Sequence, residues 1–279
     1  MPLMDWPALL GRPLPTGAER IAYGPLPDQV ADLWLPAGKG PFPVVLMVHG
    51  GCWLSDVAKL TIMNYAAEDL RQRGYAVWNI EYRGVDRPGG GYPGTFEDVA
   101  AGADALARIA PQHQLDLSRL VAFGHSAGGH LVLWLAARAA IPASSALHSA
   151  SPLKVARVIS TGGLPDLEED HRQGICGRAT VEKLSGAATP ARPDVYADTS
   201  PAALAAHPDE AVLINGVEDA IAPPALGADY VAKTRAKVPA RGGARIRQIV
   251  EPETGHVELI APGTAVWKKT VEAIDALAR

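Results

Sequence analysis

The stretch LVAFGHSAGGHLVLWLAARA, residues 120–139, changes character partway along. Its opening residues form a short apolar run, as a strand buried on both faces requires. From Ala127 onward the stretch is long and apolar in the manner of a helix. Between the two lies Gly124-His125-Ser126-Ala127-Gly128, a GxSxG pattern in the strand–turn–helix context that gives such a pattern meaning. The glycines have a physical reason. Side chains at Gly124 and Gly128 would crowd the neighbouring helix and strand, and a residue perched on so tight a turn holds strained backbone. The turn pushes the hydroxyl of Ser126 out of the fold, and the helix behind it aims its first N–H groups at developing negative charge. An ordinary Gly/Ser turn is the alternative reading of the five residues alone.

Outward from this turn, short apolar runs alternate with helical patterns. Residues 43–48, 75–80, 155–160, 211–215 and 245–250 read as further strands, the last alternating less cleanly, as suits a sheet edge. Helices are expected over 60–73, ending at Gly74, and over 96–110, 127–140, 224–237 and 264–278. Thr95 followed by Asp98 resembles a capping arrangement for the second of these. Ile21–Tyr23 and Val30–Leu35 read as a leading antiparallel pair. This alternation implies an α/β fold: a mostly parallel sheet with helices on both faces. From Leu164 to about Asp198 no period is sustained. An insertion of roughly 35 residues exceeds ordinary connections of about 12–15 and reads as a lid, with a passive surface excursion as the alternative. Residues 1–19 read as an N-terminal extension.

Composition bounds the rest. Of 279 residues, 48% are apolar and 20% charged, with a net charge of −4, so the chain buries a large core. Near-neutral charge without a basic run argues against nucleic acid or an anionic membrane as partner. No run approaches the roughly 18 apolar residues of a membrane span. The N-terminal MPLMDWPALLGRPLP places an acid and prolines where a secretory signal needs a basic region and an apolar run, so a soluble, cytoplasmic chain is expected. Cys52 and Cys176 make neither a disulfide framework nor a metal spacing; in a cytoplasmic chain free thiols are the expectation, with a disulfide between the two as the alternative.

Ser126 needs partners. His49-Gly50-Gly51-Cys52-Trp53 follows the strand PVVLMV, and such a turn presents backbone N–H groups to an oxyanion. Gly51, Cys52 and Ala127 are therefore the expected oxyanion donors. A serine nucleophile needs a base, and the base an orienting acid. His256 lies between the last strand and the last helix and is the expected base. His125 and His130 flank Ser126 but read as packing or capping groups, and His49 as a brace for its own loop. For the acid, AVLINGVEDAIAP turns at Gly216 and brings Glu218 and Asp219 to the sheet edge. Asp219 is preferred, with Glu218 and Asp166 as rivals. The order Ser–Asp–His supports that choice.

Together HGGCW, GHSAGGHL, GVEDAIAP and GHVELI resemble the α/β-hydrolase superfamily, over roughly residues 20–279. More narrowly they resemble its esterase/formamidase branch, near hormone-sensitive-lipase-like carboxylesterases and kynurenine formamidases. The resemblance implies a single α/β-hydrolase domain over 1–279 with an eight-stranded sheet, a triad of Ser126, Asp219 and His256, and no cofactor or metal. HGGCW departs from the HGGG form and leans toward the HGG-x-W form of formamidases. The expected reaction is hydrolysis of a small-molecule carboxylic ester through an acyl-enzyme on Ser126, or of an N-formyl amide by the same groups. A peptidase and a non-catalytic ligand-binding protein are the remaining classes. Trp53, Tyr82 and Tyr92 are expected to wall an aryl-binding pocket, with Cys176 facing it from the lid; ordinary packing of each ring is the alternative. A homodimer stays open as an oligomeric state.

Overall fold

The computed structural model describes residues 3–237 and 245–279, so residues 1–2 of the expected N-terminal extension lie outside it. Eight strands form one sheet: β1 (Glu19–Ala22), β2 (Val30–Trp34), β3 (Phe42–Val48), β4 (Ala76–Ile80), β5 (Leu115–His125), β6 (Arg157–Thr161), β7 (Glu210–Gly216) and β8 (Arg245–Glu251). Their spatial order is β1-β2-β4-β3-β5-β6-β7-β8. The leading pair β1–β2 is antiparallel, as is β2–β4, and every later pairing is parallel.

Why the strands read as apolar throughout is visible in their two faces. In β3, Val44, Leu46 and Val48 enter one core, while Val45 and Met47 enter the other. In β7, Ala211 and Leu213 divide from Val212 and Ile214 in the same way. A strand with period two that is covered on both sides has no polar position to spare. Helices α3 (Gly94–Ile109), α4 (Ala127–Ala137) and α7 (Pro224–Lys237) pack on the first face. The second is covered by α2 (Asn64–Gln72), α8 (Ala265–Leu277) and a short N-terminal helix, α1 (Trp6–Leu10).

The structure departs from expectation in local detail. Leu60–Met63 is a tighter 3₁₀ turn that leads into α2, and Gly74 follows that helix at φ +95°. Thr95 does not cap α3; it lies inside the helix, where its hydroxyl accepts from the Gly91 N–H and donates to the Arg83 carbonyl. Asp98 is likewise occupied, holding the Arg83 guanidinium through two bonds of 2.7 Å. The 164–198 segment is more regular than its sequence suggests. It contains α5 (Leu167–Gln173) and α6 (Arg178–Ser185), whose Leu167, Val181 and Leu184 are buried in the first core.

Candidate active site

Ser126 stands between β5 and α4 with φ 55° and ψ −122°, a left-handed conformation that costs a non-glycine residue energy. The surroundings hold it there. Its N–H donates to the Thr161 carbonyl of β6 at 2.9 Å. A Cβ at Gly124 would fall 2.1 Å from the Gly128 carbonyl oxygen, and one at Gly128 would fall 2.0 Å from that of Val48. Both glycines are therefore required by close backbone approach, as the sequence implies.

Asp219 follows β7 in the turn closed by Gly216 and is 3% exposed. One carboxylate oxygen accepts from the Ile221 and Ala222 N–H groups at 2.9 Å each. The other accepts from His256 Nδ1 at 2.7 Å. Because a carboxylate oxygen accepts, the Nδ1 atom is the donor in that bond. His256 and Ser126 line the same cavity. The rivals are engaged elsewhere: Asp166 caps α5 through the Glu169 N–H and pairs with Lys233, while Glu218 is exposed.

The loop after β3 has an unusual backbone. Gly51, Cys52 and Trp53 all have positive φ, at 107°, 51° and 55°. Among the described residues, the N–H groups of Gly51, Cys52 and Ala127 donate to no protein acceptor. For Ala127 this follows from its place in the first turn of α4, where the helix offers no partner. His49 braces the loop, with Nε2 2.8 Å from Glu81 Oε1 and Nδ1 2.7 Å from the Gly50 carbonyl. Burial pushes the Glu81 carboxyl up, but His49 and the N–H groups of Leu60 and Tyr82 outweigh it and hold the group below its usual range.

Cys52 and Cys176 are not unpaired thiols. They form a disulfide, with Cα atoms 5.4 Å apart across a sequence separation of 124. The turn between α5 and α6 folds back onto the loop after β3, and Cys176 at φ 58° meets Cys52 there. Nothing in the spacing announces this, because the contact is made by the tertiary fold. Residues 164–198 thus join the site's rim through the bridge without lining its cavity.

The expected aromatic wall is not assembled. Trp53 is fully buried and donates from Nε1 to His130 Nδ1 at 3.2 Å. Tyr82 is buried, stacks on His49 with centroids 4.4 Å apart, and donates to the His49 carbonyl. Tyr92 donates to Asp198 and lies under the Arg192 guanidinium, 3.8 Å from its ring centroid. Each ring is taken up by packing, which leaves none facing the cavity.

The cavity beside Ser126 measures about 250 Å³. Its lining includes Trp6 and Leu10 of α1, Val57, Ala58 and Ile62 from the segment after the Gly51–Trp53 loop, and Ile221 beyond Asp219. Sequence reasoning missed all six, because the exposure of Leu10, Val57 and Ile221 beside the site is visible only once the chain is folded. His125 also lines it, donating from Nε2 to the His256 carbonyl at 3.0 Å. Burial, and then the neighbouring His256 ring, push the His125 ring well below the ordinary histidine range, so it is neutral. Among the described residues no cluster of metal-ligating side chains occurs, and no helix is long and apolar enough to cross a membrane.

The sequence model of the family described as BD-FAE matches residues 31–233. No curated protein matches the sequence. Among solved structures, a truncated carbohydrate esterase from gut microbiota is similar at 19% identity and TM-score 0.75, over 94% of this chain and 96% of that one. Esterase B from Lactobacillus rhamnosis is 20% identical with TM-score 0.76, over 94% of this chain and 86% of that one. Esterase 2 of Thermogutta terrifontis, solved with propionate, is 19% identical with TM-score 0.70, over 93% of each chain. At these identities the likeness speaks for the fold.

Proposed function

The chain belongs to the BD-FAE family, in the esterase branch of the α/β-hydrolases, and from that membership we propose a serine hydrolase that cleaves carboxylic esters of small molecules through an acyl-enzyme on Ser126. The observation that carries the reading is the 2.7 Å bond from His256 Nδ1 to Asp219 beside a cavity shared by His256 and Ser126. A bond of this kind supports a role for the other ring nitrogen, Nε2, as the group that takes the serine proton.

In this mechanism Ser126 Oγ attacks the ester carbonyl while His256 Nε2 takes its proton. Asp219 fixes the tautomer and stabilises the imidazolium. Its second oxygen, held by two backbone N–H groups, keeps the carboxylate from swinging away. The N–H groups of Gly51, Cys52 and Ala127 receive the oxyanion; removing one such donor typically costs a factor of about 10²–10³ in turnover. The proton on His256 passes to the leaving alkoxide, whose C–O bond breaks. Water, activated by the same imidazole, then releases the acid. No step calls for a cofactor or metal.

N-formyl amides are the second substrate class for these groups, favoured by the HGG-x-W form of the loop rather than by the cavity. Rates on paired aryl esters and formanilides, for wild type and Asp219→Asn, test the reading. Asn at 219 favours the wrong tautomer, and kcat on esters is expected to fall by roughly 10⁴. A loss below tenfold would remove Asp219 from the mechanism. Location is tied to the bridge: a disulfide persists in oxidising compartments and is reduced in a cytoplasm. The cytoplasmic placement read from the N-terminal sequence therefore holds only for a reduced form of the chain.

A further inference from the structure

We infer that the N-terminal helix α1 is a wall of the acyl-binding site, and that it selects esters with a compact apolar acyl group, up to about the size of one aromatic ring or a medium alkyl chain. The inference rests on the proposed ester hydrolysis at Ser126 and names the part of the substrate that the cavity takes.

Three observations carry it. The first is chemical. Apart from Ser126, His125, His256 and the Gly51–Cys52 loop, the cavity is lined by the apolar side chains of Trp6, Leu10, Val57, Ala58, Ile62 and Ile221. Among the described residues no Asp, Glu, Lys or Arg side chain lines it, so a sugar or a charged acyl group would lose hydration without compensation. The second is positional. Ala58 abuts the oxyanion loop so closely that a Cβ on Gly51 would lie 2.6 Å from the Ala58 Cβ. The apolar set from residues 57–62 and α1 thus stands beside the groups that hold the carbonyl, where the acyl chain must run. Ile221 follows Asp219, on the His256 side.

The third is mechanical, because α1 is docked from several directions. Leu9 is fully buried in the second core, and the Tyr65 hydroxyl reaches the carbonyls of Leu10 and Arg12. Arg12 Nη1 donates to the Pro262 carbonyl at 2.9 Å, and the Met4 N–H meets the Glu258 carboxylate. Trp6 packs edge-on to His125, with centroids 6.2 Å apart. The wall is therefore preformed. Its volume of about 250 Å³ exceeds the roughly 150 Å³ of an apolar cavity that accepts benzene and falls below the roughly 300–1,000 Å³ of drug-sized sites.

The test is kcat/KM on p-nitrophenyl esters from acetate to decanoate, with phenylacetate, for wild type, Trp6→Ala, Leu10→Ala and Ile62→Trp. Each methylene buried in the cavity is worth about fourfold, so wild type should rise from acetate to a maximum at medium length and then fall. Trp6→Ala and Leu10→Ala should lower the hexanoate-to-acetate ratio by about tenfold and threefold. Leu10 is half exposed, so its variant reads the wall even if Trp6→Ala unfolds. Ile62→Trp should move the maximum to shorter chains. Ratios within twofold of wild type in both alanine variants, with turnover still dependent on Ser126, would overturn this inference alone. Hydrolysis that survives Ser126→Ala, or a wild type inert on every ester, would overturn the mechanism beneath it as well.

Discussion

Removing the Cys52–Cys176 bridge should weaken both the fold and the reaction. The bridge closes a sequence separation of 124, and the chain-entropy relation puts the cross-link's effect on the unfolded state at about 5 kcal/mol for a loop of that length. Part of this is offset in the folded state. Cys52 at φ 51° and Cys176 at φ 58° both hold left-handed backbone, which costs roughly 1–2 kcal/mol per non-glycine residue. If cutting the bridge lets both turns relax, the net loss is about 1–3 kcal/mol. The assay is urea unfolding of the oxidised protein and of Cys176→Ser, followed by both fluorescence and circular dichroism to check for a single transition. With a slope of about 3 kcal/mol per molar urea at this size, the midpoint should drop by about 0.3–1 M. Turnover is the second readout. Cys52 carries a proposed oxyanion N–H, so loosening its loop should lower kcat by about tenfold, less than the loss of a donor outright. Equal midpoints together with equal kcat would refute the reasoning, as would alkylation of two free thiols in the unreduced protein.

Two further predictions concern buried titratable groups. Among the described residues neither carboxylate oxygen of Asp170, in α5, finds a hydrogen-bond partner, and burial followed by the nearby Asp166 and Glu169 raises its pKa well above 3.8. A raised folded pKa favours the fold in acid and penalises it as pH climbs, so Asp170→Asn should stabilise by about 1–3 kcal/mol at pH 7 and by nothing below pH 3.8; urea midpoints at the two pH values check it, and a destabilised variant at pH 7 would count against the account. His130 is lowered by burial from 6.5 to about 4, between the Trp53 Nε1–H and the Thr199 carbonyl. The unfolded chain then binds the extra proton first, so this contribution is complete above pH 6.5 and about 3 kcal/mol of it is lost as pH falls to 4. In His130→Asn that part of the pH slope should vanish, and an unchanged slope would show that another group sets it.

Much of the architecture could be read along the chain because it depends on short periods. The two-faced burial of β3 and β7 forces unbroken apolar runs, and the close approaches at Gly124 and Gly128 leave room for no other residue. The placement of Asp219 and His256 followed from strand ends, since each lies just beyond β7 or β8. What escaped depends on contacts between distant segments. Cys52 and Cys176 carry no local mark of their pairing. Helices α5 and α6 have seven and eight residues, about two turns each, too few to establish a helical period. The roles of Trp53, Tyr82 and Tyr92 turn on the direction each ring takes, and the positive φ at Trp53 is set by its loop. Likewise α1, five residues long, acquires its place at the cavity only by folding back beneath Tyr65 and Arg12's partner Pro262.

The central claim is that Ser126 is a nucleophile, and an active-site-directed fluorophosphonate tests it most directly. The account predicts one equivalent of covalent adduct, located on Ser126 by peptide mass spectrometry, absent from Ser126→Ala and accompanied by loss of aryl-ester hydrolysis by a factor of about 10⁶ in that variant. An adduct on another residue, or a Ser126→Ala enzyme that still hydrolyses the ester at the wild-type rate, would contradict it.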